Sequence, residues 1–207
     1  PVEENGLSLV QLEKLMLRDR PALLYTVPTF QNPTGTVTDV EHRKTLLRMA
    51  EEYDFYILED DVYGHLAFDQ AAPPCLKSMD STGRVIYVTS FSKSLMPALR
   101  LGAVVATPGQ LAAFTQKKQT ADLVSSSLMQ AALAEFLRRG YYENHLQKVR
   151  QLYRERRDAA CQTLDDVLPE MRYWVPQGGL SMWLQLPAES DEAQLFLQAR
   201  KRGLVVA

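Results

Sequence analysis

Between residues 85 and 107 the chain reads VIYVTSFSKSLMPALRLGAVVAT, which sets Lys93 among the hydroxyls of Ser90, Ser92 and Ser94, with Arg100 seven residues later. A free lysine, with a pKa of about 10.4, is a poor nucleophile at neutral pH. Desolvation or neighbouring cations lower that value and free the amine to condense with a carbonyl. Two further stretches place polar side chains just after apolar runs: PTFQNPTG with Asn32, and EDDVYG with Asp60, Asp61 and Tyr63. Each residue alone has an ordinary reading. Lys93 reads as a solvated loop lysine, Arg100 as a surface arginine, Asn32 as a turn residue before proline, and the carboxylates as the solvated end of a strand.

What gives the three stretches weight is the pattern of elements that must carry them. Ser8 and Gln11 form a capping-box pattern with Leu7 and Leu12 as a staple, so a helix is expected from about Leu9 to Asp19. ALLYTV (22–27) is a buried-strand candidate, and PTFQNPTGT (28–36), with two prolines and a glycine, is loop. Thr38 and Glu41 make a second capping box, opening a helix that turns Leu46, Leu47 and Met49 to a core. FYIL (55–58) is the next strand, then VIYVTS (85–90) and LGAVVA (101–106), after which Thr107, Pro108 and Gln110 supply the N-cap, N1 and N3 of another helix.

Strands separated by helices, written as continuous apolar runs, predict an α/β fold: a mostly parallel sheet flanked by helices and covered on both faces. The pattern turns helical from about Ser125, breaks at Gly140, and continues as an amphipathic helix from about Tyr141 to Val167 with Leu146, Val149, Leu152 and Tyr153 on one side. MRYWV and LSMWLQL bracket Pro176, Gln177, Gly178 and Gly179 as a hairpin, and DEAQLFLQARKRG closes as a helix ending at Gly203. The expected division is a large domain over residues 1–165 and the beginning of a small α+β domain over residues 166–207. In open α/β sheets the ligand crevice lies at the carboxyl ends of the strands, where Asn32, Asp60, Tyr63 and Ser90 to Lys93 all fall.

At 207 residues and 46% hydrophobic, the chain can bury a substantial core. Its 23 basic and 25 acidic residues leave a net charge of −2, so no global field argues for nucleic acid or a membrane surface. The apolar runs are strand-sized, so no membrane span is expected. Cys75 and Cys161 lack metal-ligand spacing and fit a reducing cytoplasm. His42, His65 and His145 are dispersed, so no metal is expected. The chain starts at Pro1 without a methionine and stops inside the apolar run GLVVA, which reads as a strand just beginning and as a piece of a longer protein.

Taken together, PTFQNPTG, EDDVYG and SFSKSLMPALRLG, in this order and spacing, resemble the fold-type I pyridoxal-phosphate enzymes, specifically the class I/II aminotransferases. The resemblance implies pyridoxal 5'-phosphate held as a Schiff base by Lys93, the catalytic lysine that then shuttles a proton. It makes Asp60 the carboxylate that keeps the ring nitrogen protonated, with Asp61 the competitor because a one-residue slip swaps strand faces. It assigns Asn32 and Tyr63 as donors to the ring's phenolic oxygen, and Ser90, Ser92 and Arg100 as the phosphate's hydroxyl and guanidinium donors. It further implies a homodimer acting on an amino acid and a 2-oxo acid. Family members also carry an upstream phosphate-gripping turn with a ring-stacking aromatic, and a downstream arginine that clamps the substrate carboxylate. Neither part is expected within these residues.

EDDVYGHLAF, SFSKSLMPALRLG and ENHLQKVRQLYRERRDAA are similar also to the aminotransferase-like effector domains of GntR/MocR transcriptional regulators, where the same pocket senses a ligand and a separate domain binds DNA. An aminotransferase and a ligand-sensing regulator domain are thus the two functions implied. PQGGLSMWLQLP also resembles the family, where a Gly-Gly hairpin lies near the substrate mouth, although Gly178 and Gly179 read equally as two glycines for a turn. Trp174 and Trp183 read as core, and the basic run of residues 138–157 as a solvated helix face rather than a nucleic-acid surface.

Overall fold

A computed structural model describes residues 2–3, 5–122 and 125–205. A short hairpin of β1 (Val2–Glu3) and β2 (Gly6–Leu7) leads into α1 (Leu9–Asp19), β3 (Leu23–Thr26), α2 (Val40–Glu52) and β4 (Tyr56–Asp60). After a single-turn α3 (Leu76–Met79) come β5 (Val85–Ser90), a single-turn α4 (Phe91–Ser94) that carries Lys93, and β6 (Gly102–Val105). Helices α5 (Pro108–Ala121), α6 (Ser127–Arg138) and α7 (Tyr141–Val167) follow, then the antiparallel pair β7 (Arg172–Tyr173) and β8 (Leu184–Gln185), and α8 (Glu192–Lys201).

The central sheet has the order β3-β4-β5-β6. Its first three strands are parallel, in a register that aligns Thr26, Glu59 and Tyr87, so their carboxyl ends share one edge. β6 departs from the expected parallel run: it is antiparallel to β5, with Ser90 opposite Gly102. Only Phe91 to Leu101 join the two strands, too short a connection for the crossover that parallel strands need. The return is a hairpin, and Lys93 and Arg100 both lie on it.

Side chains alternate across the sheet, and the face bearing Ile57 and Val85 packs with Leu12 and Met16 of α1 and Leu46, Met49 and Ala50 of α2 into the main core. Coverage of both faces is not seen in full. On the opposite face Leu23, Tyr25 and Tyr56 are 48%, 58% and 44% exposed. A second core joins Leu66, Tyr142 and Leu146, with Phe91, Leu95, Val149 and Tyr153 packed against it. Leu152 falls outside this stripe and is 44% exposed, because it lies a part-turn round α7 from Leu146 and Tyr153.

Caps explain most boundaries and two departures. Thr107 and Gln110 form a reciprocal capping box on α5, and left-handed Gly140 opens α7. At α2 the cap is Asp39, whose side chain accepts from the His42 N–H at 2.8 Å, rather than Thr38. Thr38 is buried at the base of the preceding loop, its N–H bonded to the Pro28 carbonyl at 2.8 Å. Ser8 occupies the α1 cap position without a side-chain bond. Trp174 and Trp183 are 42% and 38% exposed, so neither is core: the β7–β8 pair they flank is too short to bury them. Of GLVVA, Leu204 and Val205 are not in a strand, and residues 206 and 207 lie outside the described residues. No helix among the described residues is long and apolar enough to cross a membrane.

Candidate active site

The loop 28–38 leaves β3 and folds back on itself. Its feet are joined by the Thr38–Pro28 bond, and inside it Gln31 N–H donates to the Thr36 carbonyl at 3.0 Å while the Gln31 side chain accepts from the Thr34 N–H at 2.9 Å. This bracing presents Asn32 at the tip, where its Nδ2 donates to the Tyr63 hydroxyl at 3.2 Å. Tyr63 is 7% exposed and sits three residues past Asp60. The structure thus brings together residues of the first two motifs.

β4 runs two residues beyond the expected FYIL, because Glu59 pairs with Thr26 and Asp60 with Val88 in the ladders. Asp60 and Asp61 therefore point to opposite faces. Asp60 Oδ2 accepts from the Tyr25 hydroxyl at 2.7 Å, whereas its Oδ1 is buried without a partner. Desolvation, then the bond to Asp60 and the nearby Tyr63, push the Tyr25 phenol up to about 12. Asp61 Oδ2 accepts from the Tyr87 hydroxyl at 2.9 Å on the side of the main core, and its Oδ1 is likewise buried without a partner, so it is the sheet face and not the open oxygen that separates the two carboxylates. Burial raises its carboxyl above the usual range, against the pull of Tyr87, His65 and Arg43.

Lys93 lies on α4, exposed, at the end of the strand beside Asp60's. Ser90 caps this turn: its Oγ accepts from the Ser92 N–H at 3.1 Å and donates weakly to the Leu101 carbonyl at 3.4 Å. Arg100 is exposed and adopts φ 53°, a strained left-handed conformation for a side-chain-bearing residue, where the return turns into β6. Among the described residues no hydrogen bond links Lys93 or Arg100 to Asp60, Tyr63 or Asn32. From below, α7 grips the same turn: Tyr142 Oη donates to the buried Ser94 Oγ at 2.7 Å and His145 Nε2 donates to the Ser94 carbonyl at 3.0 Å.

Four features near the site do more in the structure than their ordinary sequence readings imply. Tyr25 looks like one more apolar strand residue. Arg43 looks like a helix-surface cation yet is fully buried. Gly178 and Gly179 are more than a turn: a Cβ on Gly178 would run into the Phe30 ring and come within 2.6 Å of the Leu66 carbonyl. Gly179 N–H donates to that carbonyl at 3.0 Å, and Phe30 itself is buried with φ 53°. The basic face of α7 is likewise not simply solvated. Arg150 donates to the His65 carbonyl at 2.7 Å, and Arg157 to the Pro176 carbonyl at 2.7 Å and to Asp69 at 2.8 Å.

A buried, unpartnered carboxylate oxygen is an acceptor awaiting a donor, and a protonated pyridine nitrogen supplies one. The exposed amine of Lys93 and the Ser92 hydroxyl and Arg100 guanidinium beyond it suit an aldehyde and a phosphate. The residues present fit pyridoxal phosphate.

A family model described as aminotransferase class I and II matches residues 3–207. The 2-aminoadipate transaminase of Thermus thermophilus is 41% identical over 208 residues, which cover 99% of this chain and 52% of that protein. The HTH-type transcriptional regulator TauR of Rhodobacter capsulatus is 37% identical over 99% of this chain and 41% of its own length. Among solved structures, the alpha-aminoadipate aminotransferase LysN of Thermus thermophilus, complexed with N-(5'-phosphopyridoxyl)-L-leucine, superposes with a TM-score of 0.91 at 39% identity. That match covers 99% of this chain and 54% of LysN. The chain spans about half the length of the curated aminotransferases it matches. With three strand-end motifs in order on a mostly parallel sheet, and a family match over nearly every residue, the chain belongs to the class I and II aminotransferases.

Proposed function

We propose that the protein of which these residues are part is a pyridoxal-phosphate-dependent aminotransferase, moving an amino group between an amino acid and a 2-oxo acid. The observation that carries this reading is the Asn32–Tyr63 hydrogen bond, which joins two of the three motifs at the edge where Asp60 ends β4 with an unpartnered Oδ1, one strand from Lys93. When bound, the cofactor supplies an electron sink for breaking a bond at the substrate's alpha carbon.

In this reading Asp60 Oδ1 accepts from the ring nitrogen and keeps it protonated, while Tyr25 holds the other oxygen and so the carboxylate's rotation. Asn32 Nδ2 and the Tyr63 hydroxyl donate to the phenolic oxygen. Lys93 Nζ would hold the aldehyde carbon and, once the substrate's amine has displaced it, would be free to carry a proton to and from the alpha carbon. Arg100 and Ser92 hold the phosphate, and Ser90 joins them by exchanging its weak bond to the Leu101 carbonyl. The large domain is assigned to residues 1–165 and the start of the small one to 166–207. We place the protein in the cytoplasm as a homodimer.

A second reading has a specific observation behind it: a relative named as an HTH-type regulator aligns over 99% of this chain. There the same pocket reports a ligand to a DNA-binding domain. Steady-state transamination with a 2-oxo acid favours the enzyme, and its absence alongside sequence-specific DNA binding by the full-length protein favours the regulator.

The test of both begins with the absorption spectrum of the full-length protein plus pyridoxal phosphate, before and after borohydride reduction, with the adduct mapped by mass spectrometry. A visible band and an adduct on Lys93, both lost in Lys93→Ala, are expected. A folded protein that shows neither overturns the proposal.

A further inference from the structure

Arg43 touches none of the groups assigned above to the cofactor, yet it is among the largest fully buried side chains of the described residues. Burying a guanidinium costs several kcal/mol unless its charge and all its N–H groups are matched. At Arg43 three of the four hydrogen bonds go to backbone carbonyls, and the charge faces Glu59. Nε donates to the Thr38 carbonyl at 2.8 Å, and Nη2 to the Pro28 carbonyl at 2.9 Å and to Thr29 Oγ1 at 2.8 Å. Nη1 donates to the Pro74 carbonyl at 3.2 Å and lies 3.8 Å from Glu59 Oε1. Burial lowers the guanidinium's pKa, opposed by the nearby acidic groups Glu59, Asp61, Cys75 and Asp39.

These acceptors have a pattern. Pro28 and Thr38 are the two feet of the loop whose tip carries Asn32, and Glu59 is the residue before Asp60 on β4. Glu59 is itself held, accepting from the Leu76 and Lys77 N–H groups at 2.7 and 2.8 Å. One planar fork thus ties the base of the Asn32 loop to the strand that delivers Asp60 and, three residues on, Tyr63. A lysine could match the charge, but it has no rigid plane with which to set the angle between loop and strand. A Met or Leu at this position would pack in the core without a charge to bury.

We infer that Arg43 is a positioning residue: by clamping both feet of the 28–38 loop to the end of β4, it sets how Asn32 and Tyr63 jointly meet the cofactor's phenolic oxygen. This rests on the reading that Lys93 carries pyridoxal phosphate. The readout follows from the chemistry of that oxygen. In the lysine-bound cofactor one proton is shared between the lysine nitrogen and the phenolic oxygen. Donors to the oxygen favour release of that proton, so withdrawing them raises the pH midpoint of the visible band.

The experiment titrates that band in the full-length protein, as parent, Asn32→Ala, Arg43→Lys and the double variant. Asn32→Ala sets the scale. Arg43→Lys is expected to raise the midpoint by at least half as much. In the double variant, the added effect of Asn32→Ala shrinks to less than half, because a donor already misplaced has less to lose. Thr29→Val, which removes one acceptor from the fork and keeps the guanidinium beside Glu59, gives a smaller shift in the same direction. If Arg43→Lys lowers only the thermal midpoint, leaves the band at the parent's value and adds fully to Asn32→Ala, the clamp is merely structural and the inference falls. If Arg43→Lys does not fold, an unshifted band in Thr29→Val overturns it equally. A parent protein with no visible band sinks the cofactor reading itself, which separates that failure from this one.

Discussion

The Tyr25 hydroxyl donates to Asp60 Oδ2 at 2.7 Å from the neighbouring strand, leaving Oδ1 as the carboxylate's open side. Because Tyr25 and Asp60 lie on the same sheet face, the contact fixes the carboxyl's rotation. Tyr25→Phe is therefore expected to weaken pyridoxal phosphate binding by about tenfold, the equivalent of one hydrogen bond to a charged group. Since the Tyr25 ring is 58% exposed, the thermal midpoint should hardly change. Equilibrium dialysis beside a melting curve checks both.

The two adjacent carboxylates are expected to behave oppositely. Asp60→Asn should lower kcat/KM by 100-fold or more, on the order of what a positioned proton partner contributes. Asp61→Asn should leave catalysis intact. Burial raises the Asp61 pKa in the fold, so its carboxyl favours folding when protonated and loses that advantage as pH rises through the folded value. The amide therefore should not destabilise at neutral pH, and it should flatten the stability profile above about pH 4. Paired kinetics and urea titrations at several pH values separate the two.

Asp80 is expected to contribute to stability against acid. Its carboxyl accepts from the Thr82, Gly83, Arg84 and Val85 N–H groups at 3.0 to 3.3 Å and from Lys77 Nζ at 3.2 Å. Burial pulls its pKa upward, but these donors outweigh burial and hold it below the usual range. The stabilisation is thus complete above the unfolded value of about 3.9 and is lost as pH falls through the lower folded value. Asp80→Asn should cost about 2 kcal/mol at pH 7 and much less near pH 2. Urea midpoints across that range test it.

Gly178→Ala forces a methyl against Phe30 and the Leu66 carbonyl. Overpacking of this kind costs about 1–3 kcal/mol. Because Phe30 belongs to the Asn32 loop, the displacement should also reduce cofactor affinity. Gly109→Ala, at an open helix position with nothing near the added methyl, is the control expected to do neither.

Where local chemistry decides structure, the sequence was enough. The bounds of β5 and α7 follow from an apolar run and from Gly140, and the Thr107–Gln110 box is formed as its spacing predicts. The strand-end placement of Asn32, Asp60, Tyr63 and Lys93 was legible for the same reason. What was hidden depends on partners far along the chain. Nothing in GAVV says that β6 runs antiparallel; the short return from β5 does. Thr38 yields the cap to Asp39 because it is held as the foot of the loop by Pro28, ten residues earlier, and the helix starts one residue later, at Val40. Arg43 and Tyr25 carry ordinary residue types in ordinary patterns, and only the assembled loop and sheet reveal what they hold.

Helix α7 grips three separate places along one side: Ser94 beside the lysine through Tyr142 and His145, the His65 carbonyl through Arg150, and the Pro176 carbonyl through Arg157. At 1.5 Å per residue its 27 residues make a rod of roughly 40 Å. Such a rod acts as a splint. The lysine turn, the segment after Tyr63 and the glycine hairpin share one rigid reference, so the hairpin cannot swing freely of the lysine turn. Any such motion has to bend α7 or release Arg157 from Pro176 together with the Gly179–Leu66 and Phe68–Gln177 backbone bonds, so the hairpin and the lysine turn move as one piece.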